Sequence, residues 1–328
     1  MNGKPRIAAI GAGMAGLSLA RHLGGVAEVI VLEKSSRPGG RLATRRGTAW
    51  QFDHGAQYFT ARDPRFQAWL QPLLAKGTVT EWRPNITTLS PNGKPYKRDW
   101  FEPHYVAHGA MAELGMTMAE GLNVRYASRV SALARDIDRW WLEVEASKPL
   151  GPFDWVLVAI PAPQALALLP TSFTGTTALT KVQMNGCYTL MLALKEDPGW
   201  PFDCAVVKES ALSWLALDHR KPGRPRAPAL LVHSSNAWAE ARLEADAESV
   251  MDAMLAALGA ILPGGTPDFV ERQLHRWRYA DVSHPLGVDH WLDGESRLGV
   301  CGDWCIGGRV EAAFISGLQL AAGLLARV

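Results

Sequence analysis

The stretch "RIAAIGAGMAGLSLARHL", residues 6–23, decides the predicted fold. A short apolar run, Arg6–Ile10, passes through a glycine-rich turn into a helix that ends at Gly24 and Gly25. A second run rich in β-branched residues, Val26–Glu33, follows at once. This order predicts a strand-helix-strand unit in a parallel sheet, with a right-handed crossover.

The glycine spacing in this turn predicts a dinucleotide site. Gly11, Gly13 and Gly16 match G-x-G-x-x-G directly after a strand and at the start of a helix. The first glycine allows the tight turn, the second lets the backbone approach a diphosphate, and the third packs the helix against the strand. Glu33 ends the second strand, where its carboxylate is expected to bind ribose hydroxyls and to disfavour the 2′-phosphate of NADP.

A second glycine pair indicates which dinucleotide is bound. In "VLEKSSRPGGR", residues 31–41, Gly39, Gly40 and Arg41 follow shortly after the acidic residue. An extended FAD runs its diphosphate and ribityl chain past this turn, where two glycines let the backbone come close. Arg41 can then pair with a phosphate through charge-assisted hydrogen bonds. The cofactor predicted from these residues is FAD.

Composition narrows the class of protein and its partners. The chain has 328 residues, 48% hydrophobic and 20% charged, with a net charge of +2, as expected for one large or two interlocked globular domains. We find neither a basic cluster typical of nucleic-acid binding nor an apolar run of about 18 residues, so neither nucleic acid nor membrane is an expected partner. The N-terminal glycines fall at motif spacing rather than before a cleavage site, so no signal peptide is expected.

The cysteines predict a reducing environment and no metal. Cys187, Cys204, Cys301 and Cys305 form neither a CxxC pair nor a zinc-spaced cluster with histidine. Buried or free thiols suit a reducing cytoplasm, which is the predicted location.

The rest of the chain predicts an inserted domain. We place the FAD-binding domain at residues 1–60, 104–170 and 296–328, and a mixed α+β substrate domain at 61–103 and 171–295. Within the latter, residues 237–258 are predicted as one long helix and the proline-rich patch 219–229 as a surface loop. A cleft between two such domains is where ligands usually bind.

Five segments carry a family resemblance. They are "GAGMAG", "EKSSRPGGRLATRR", "FDHGAQYFTARDPRF", "VLVAIPAPQA" and "VCGDWCIGGRVEAAFISG". With these in order, the chain resembles the renalase family over nearly its whole length. That family is a branch of the flavin-containing amine oxidase superfamily. The resemblance implies an α/β fold, with a Rossmann-type FAD-binding domain of the p-hydroxybenzoate-hydroxylase and amine-oxidase type and an inserted substrate domain.

The resemblance also implies an activity. Renalases hold FAD non-covalently and oxidise 2- or 6-dihydronicotinamide forms of NAD(P) to NAD(P)⁺, while O₂ reoxidises the flavin and gives H₂O₂. Cys301 and Cys305 match no motif for covalent flavin attachment and are interpreted as packing thiols. A monomer or homodimer is expected. Two alternatives stay open: an amine oxidase or desaturase of the same superfamily, and a protein that binds FAD without turnover.

Site residues follow from the same resemblance. Those implied to hold FAD are Gly11, Gly13, Met14, Ala15 and Gly16 at the diphosphate, Glu33 and Lys34 at the ribose and adenine, Gly40 and Arg41 at the second phosphate turn, Gln57 and Tyr58 against the flavin, Val130 beside the adenine, Asp303 at the ribityl chain, and Val310 and Glu311 beside the pyrimidine ring.

For the substrate, aromatic residues are expected to form a cage. Tyr58 is the first candidate, followed by Trp277 and Tyr279. His233 is predicted either to contact the carboxamide or to be a satisfied core histidine, and His54 is interpreted as structural.

Overall fold

The computed structural model describes residues 3–262 and 264–327. The helices are α1 Met14–Leu23, α2 Pro64–Ala75, α3 Ala112–Ala119, α4 Ala162–Leu168, α5 Thr176–Leu179, α6 Asn236–Glu240, α7 Ala247–Ile261, α8 Asp303–Ile306 and α9 Val310–Leu325, with a 3₁₀ turn at Asp218–Arg220. The strands are β1 Arg6–Ile10, β2 Glu28–Leu32, β3 Arg45–Arg46, β4 Gln51–Phe52, β5 Val79–Glu81, β6 Ile86–Leu89, β7 Tyr96–Lys97, β8 Tyr105–Ala107, β9 Val124–Arg125, β10 Val130–Asp136, β11 Arg139–Val144, β12 Leu150–Phe153, β13 Trp155–Val158, β14 Gln183–Leu194, β15 Cys204–Val207, β16 Leu212–Leu217, β17 Ala229–Ser234, β18 Phe269–His284, β19 Trp291–Asp293 and β20 Leu298–Val300.

The predicted strand-helix-strand unit forms the centre of a six-stranded sheet. Its order is β19-β20-β13-β1-β2-β9, and every neighbouring pair is parallel except β19 with β20. The centre of β1 is buried because helices and further strands cover both faces, as the continuous apolar run predicts. Helices α1 and α9 both begin beyond the carboxyl ends of parallel strands, which is the edge where α/β sheets bind ligands. The predicted α/β class with a Rossmann-type sheet is confirmed.

A second, seven-stranded sheet is built from the middle of the chain. Its order is β18-β14-β17-β16-β15-β6-β7. The long strands β14 and β18 pair antiparallel along most of their length. One face packs on α7, and the other continues into the apolar core that also contains α1 and α9. The two sheets therefore share one apolar core.

The long helix predicted at residues 237–258 is two helices. Helix α6 ends at Glu240 and α7 begins at Ala247. The Asp246 carboxylate accepts a hydrogen bond from the Ser249 N–H at 3.1 Å and so caps α7. In the turn between the helices, the Leu243 carbonyl accepts a hydrogen bond from Arg276. The continuous helical pattern concealed this N-cap.

The proline-rich patch at residues 219–229 is not simply a surface loop. Lys221 is 2% exposed and Arg224 is 8% exposed. Two buried carboxylates, Asp53 and Asp218, pair with them. The prediction was wrong because composition alone does not show that acidic partners lie beneath this segment.

Candidate active site

The first glycine turn is shaped by backbone contact. Gly11 has φ +104°, and a Cβ there would lie 2.7 Å from the Ala159 carbonyl oxygen. A Cβ on Gly16 would lie 1.9 Å from the Gly11 oxygen, so the third glycine packs helix on strand. Gly13 differs, because nothing lies within 4 Å of where its Cβ would be. The backbone is open at the position where the motif expects a diphosphate, beside the N-terminal amides of Met14 and Ala15.

The second glycine turn packs directly on the first. The Gly39 N–H donates to the Ala12 carbonyl at 2.7 Å, and Gly13 and Gly39 form a parallel bridge. Gly40 has φ +55°, and its Cβ would lie 3.4 Å from the Gly13 Cα. The two glycine turns thus form a single surface at the carboxyl edge of the six-stranded sheet. We call this surface, with the start of α9, the cofactor edge.

Glu33 closes one end of the cofactor edge. Its buried carboxylate accepts hydrogen bonds from the N–H groups of Ala12 and Ser35, both at 2.8 Å. The Glu33 carbonyl accepts from Ser128 at 2.8 Å, two residues before Val130 at the start of β10. Lys34 is exposed. These residues meet at one end of the sheet, where the ribose and adenine are predicted.

Arg41 and Asp303 are brought together although they are far apart in sequence. The guanidinium donates to both carboxylate oxygens of Asp303, at 2.8 and 2.5 Å, and to the Ala280 carbonyl at 3.0 Å. Burial opposes the charge on Arg41, but Asp303 and Asp281 outweigh it and raise the pKa of Arg41. The Arg41 side chain remains 31% exposed, so contact with a phosphate and contact with Asp303 are compatible.

The start of α9 lies on the same edge. Val310 opens the helix, and the buried Glu311 carboxylate accepts hydrogen bonds from the N–H groups of Arg62 at 2.5 Å and Asp63 at 2.6 Å. Helix α9 also packs closely on α1, since a Cβ on Gly317 would lie 2.1 Å from the Ala15 carbonyl oxygen. Glu311 therefore anchors α2 to α9, and two helix N-termini flank the glycine turns.

Gln57 and Tyr58 sit on a loop held by buried charges. The side-chain oxygen Oε1 of Gln57 accepts from Lys221 Nζ at 3.0 Å and from Trp214 Nε1 at 3.4 Å. The Tyr58 ring packs on His104 and Trp100, with centroids 4.5 and 5.2 Å away. Both residues are thus fixed by neighbours from distant segments.

The charges beneath this loop form a cluster of four residues: Asp53, Asp218, Lys221 and Arg224. We call it the buried ion cluster. Lys221 lies 2.6 Å from Asp218, and Arg224 lies 2.6 Å from Asp53. Burial opposes ionisation of Asp53, but Lys221 and Arg224 outweigh it and lower its pKa, whereas burial raises the pKa of Asp218. Two carboxylates and two cations balance the charge, as a desolvated group of this kind requires.

A row of side chains on β18 faces the loop after β4. Gln273, His275 and Trp277 alternate with Leu274 and with arginines that bond to the α6–α7 side of the sheet. Trp277 Nε1 donates to the His54 carbonyl at 2.8 Å, and its ring stacks on the His54 imidazole at 5.5 Å. We call Gln273, His275 and Trp277, together with Arg45 and His54, the polar face.

Histidines of this region are uncharged at neutral pH. Burial, then His275 and Arg45, lower the pKa of His54 to about 4, and burial and Arg45 lower that of His275 to about 4. Burial, then Lys221, lower the pKa of His233 on β17 to about 3. Within residues 3–262 and 264–327, the buried Nδ1 of His54 and Nε2 of His233 have no hydrogen-bond partner.

Tyr279 lies where the β14–β18 ladder is irregular. The register changes between Asn185 and Cys187, opposite the stretch from Trp277 to Asp281. An irregularity of this kind re-aims side chains. Tyr279 is half-buried at this irregularity.

Sequence reasoning missed Arg45, His275, Gln273 and the buried ion cluster. The period of two in "RQLHRWR", with uncharged side chains between arginines, was an available signal for a strand with two different faces. No comparable signal marked the burial of the cluster, because Asp218, Lys221 and Arg224 are close in the chain but the Asp53 against which they pack lies in a distant segment.

In the described part of the chain, histidines, cysteines and carboxylates form no group that could hold a metal ion. All four cysteines are buried free thiols, and burial raises the pKa of Cys301 to about 12. No helix within residues 3–262 and 264–327 has both the length and the apolar character that a membrane crossing needs.

The sheet order and the paired glycine turns define a dinucleotide-binding protein of Rossmann type. Comparison with protein families agrees: residues 10–73 match an NAD(P)-binding Rossmann-like domain, and residues 99–325 match the flavin containing amine oxidoreductases. The chain belongs to this flavin containing amine oxidoreductase family. It is an FAD-dependent oxidoreductase.

Solved structures share the whole fold. A protein from Exiguobacterium sp. 255-15 named as a protoporphyrinogen oxidase has a TM-score of 0.81 over 100% of both chains, at 12% identity. Wild-type putrescine oxidase bound to putrescine has a TM-score of 0.73 over 99% of both chains, at 14% identity. At such identities the likeness concerns the fold.

Proposed function

We propose that this protein is a renalase-like oxidase that converts 2- or 6-dihydronicotinamide forms of NAD(P) to NAD(P)⁺. Bound FAD supplies a hydride acceptor at N5 and passes the electrons to O₂, giving H₂O₂. The chain itself has to hold the nicotinamide ring against the flavin, with the donor carbon aligned for hydride transfer, and to exclude water. Such a reaction needs no general base, because the donor carbon gives up its hydride directly.

The observation that carries this proposal is the chemistry of the polar face. It offers an indole and imidazoles that are uncharged at neutral pH, together with the cation Arg45. A flat, anionic dinucleotide is compatible with this surface. A protonated amine would be repelled by Arg45, and the nearby Asp53 is already engaged by Arg224 and Lys221.

The predicted site residues take roles within this proposal. The cofactor edge would bind the diphosphate at Gly13 and Gly40, the ribose at Glu33, and the ribityl end near Asp303. The positive end of α9, at Val310, would stabilise the charge that the ring system gains on reduction. Trp277 and Tyr58 would hold the nicotinamide. FAD would be bound non-covalently, and four buried thiols suit the cytoplasmic location that we also propose.

Selectivity among donors tests the proposal. Carbons 2 and 6 of the nicotinamide flank the ring nitrogen, so a flipped or shifted ring can bring either to the acceptor with similar surroundings. Carbon 4 lies across the ring, and presenting it would push the ribose toward the cage wall. Hydride transfer needs the donor carbon within about 3–3.5 Å of the acceptor.

The measurement is the anaerobic rate of flavin reduction by 2-, 4- and 6-dihydro-NAD at equal concentration, with putrescine and an aryl amine alongside. Rapid reduction by the 2- or 6-isomer and slow reduction by ordinary NADH are expected. Comparable rates for the 4- and 6-isomers, or faster reduction by an amine, would contradict the assignment.

An amine oxidase is the second candidate. The aromatic cluster around Tyr58 favours it, because Trp100 and Trp214 lie within 5.2 and 5.7 Å of that ring and Lys221 already sits over Trp82. Aromatic faces attract ammonium groups. The amine arm of the same experiment decides between the two candidates.

Whether FAD is covalently attached to the chain is tested separately. Acid or heat denaturation should release intact FAD into the supernatant. Colour that stays with the denatured chain would show a covalent bond.

A further inference from the structure

Arg45 is a cation that forms no direct ion pair among the described residues, and the Glu271 carboxylate is linked to it through Gln273, whose amide donates to Glu271 at 2.5 Å. From β3 it reaches β18, where it donates to Gln273 Oε1 at 3.1 Å and lies 3.5 Å from Nδ1 of His275. Among residues 3–262 and 264–327, no carboxylate pairs with its half-buried guanidinium. Its chain neighbour Arg46 is paired, with Glu113 at 2.6 Å. A guanidinium has several N–H donors, so Arg45 retains donors for a further acceptor.

The histidines around Arg45 add no charge of their own at neutral pH. The His54 and His275 rings pack edge to face, with centroids 4.8 Å apart, and neither is charged at neutral pH. The buried Nδ1 of His54 has no partner in the described structure. Asp53 is a carboxylate that acts to raise the pKa of His54 against the larger effect of burial, and it is itself paired with Lys221 and Arg224. A half-buried cation with spare donors is suited to binding an anion.

We propose that Arg45, His275 and Gln273 form a subsite for a phosphate group of the substrate, namely the diphosphate of the dihydronicotinamide dinucleotide. This inference rests on the proposed function. Its spatial basis is the order of contacts along β18. Trp277, expected to hold the nicotinamide, packs on His275 at 4.3 Å, and His275 in turn contacts Arg45. In a dinucleotide one ribose separates the nicotinamide from the diphosphate, as the His275 imidazole separates Trp277 from Arg45.

The first test compares a donor with phosphate and one without it. In the FAD-loaded protein, Arg45→Gln should raise the Kd for 6-dihydro-NAD about 10- to 100-fold, as loss of a charge-assisted contact commonly does. The Kd for 6-dihydronicotinamide riboside and the limiting rate of flavin reduction should stay within about twofold, the scale of a lost neutral contact at most. An equal rise in the Kd values of both donors would contradict the proposed phosphate subsite.

Two further variants control this result. Arg46→Gln removes the neighbouring, paired arginine and should leave both donors unaffected. Gln273→Glu keeps Arg45 but gives it a carboxylate partner. This variant should therefore weaken binding of the dinucleotide and not of the riboside, as Arg45→Gln does. If Arg45→Gln loses FAD while its melting temperature is unchanged, Arg45 belongs to the cofactor site and the proposal is wrong.

A binding measurement separates this inference from the proposed function. Inorganic pyrophosphate should bind the FAD-loaded parent and raise the pKa of the His275 imidazole, followed by NMR, and should do neither in Arg45→Gln. If no dihydronicotinamide reduces the flavin but pyrophosphate still binds at Arg45, the proposed function fails and the anion subsite stands. If the isomers reduce the flavin and pyrophosphate does not bind, the subsite fails alone.

Discussion

The cofactor edge and the polar face are built in opposite ways. The glycine turns of the cofactor edge consist of backbone from two short neighbouring segments that contact each other across a few ångströms, while the start of α9 comes from far along the chain. The polar face consists of side chains from β3 and the loop after β4, which are neighbours in the chain, and from β18, which lies more than two hundred residues away from both. The comparison shows that a cofactor site can be encoded locally, whereas a substrate surface depends on long-range packing.

The largest expected effect concerns the buried ion cluster that supports the loop carrying Gln57. Lys221→Met leaves Asp218 buried without its partner, so the free energy of unfolding should fall by about 3–5 kcal/mol in urea denaturation. Lys195→Met is the matched control, since the exposed pair of Lys195 with Asp268 is worth about 0–1 kcal/mol. Similar losses in the two variants would mean that the cluster does not hold this loop.

Arg41 links the two regions, because it joins the second glycine turn to Asp303 and to β18 through Ala280. Arg41→Ala should weaken FAD binding by about 1.5–3 kcal/mol, the usual worth of a hydrogen bond to a charged group. Titration of the apoprotein with FAD, followed by flavin fluorescence, measures this. Arg46→Ala serves as the control. An unchanged Kd for Arg41→Ala would show that the second phosphate turn is misassigned.

Two glycines within the cofactor edge should respond differently. Gly16→Ala places a methyl group 1.9 Å from a carbonyl oxygen, so it should destabilise the fold by about 1–3 kcal/mol. Gly13→Ala meets nothing within 4 Å, so its melting temperature should not change while FAD affinity falls. Full FAD retention by Gly13→Ala would mean that the open backbone there does not face the diphosphate.

The last effect vanishes at neutral pH and appears only on acidification: it is a dependence of stability on pH that arises at the histidines. Burial lowers the pKa of His233 to about 3, below the value of about 6.5 in an unfolded chain. Between these values the unfolded chain binds a proton that the folded protein does not. The contribution of His233 is therefore complete above about pH 6.5 and is lost as the pH falls toward 3. His233→Gln should flatten the acid side of the stability curve, while replacing the exposed His284 should not.

The fold was predictable where a pattern and its physical cause lie close together in the chain. The Rossmann-type sheet follows from residues 6–33, because an apolar run, a glycine turn and a helix fit one another without help from distant segments. The long helix was mispredicted because Asp246, with helical residues on both sides, caps a new helix instead of continuing one. The surface position predicted for residues 219–229 was wrong for a different reason: Asp53, which pairs with Arg224, comes from a distant segment, and the i,i+3 pair of Asp218 with Lys221 does not by itself indicate burial.

By itself the sequence determined the dinucleotide fold and the choice of flavin, since glycine spacing, an acidic strand end and a second glycine pair act through the local backbone. Tertiary structure alone decided that Arg41 meets Asp303, that Glu311 anchors α2, and that Arg45 reaches β18 without forming an ion pair in the described chain. Side-chain charges act across space, through burial and proximity, and the order of residues does not record which distant groups will share a desolvated environment.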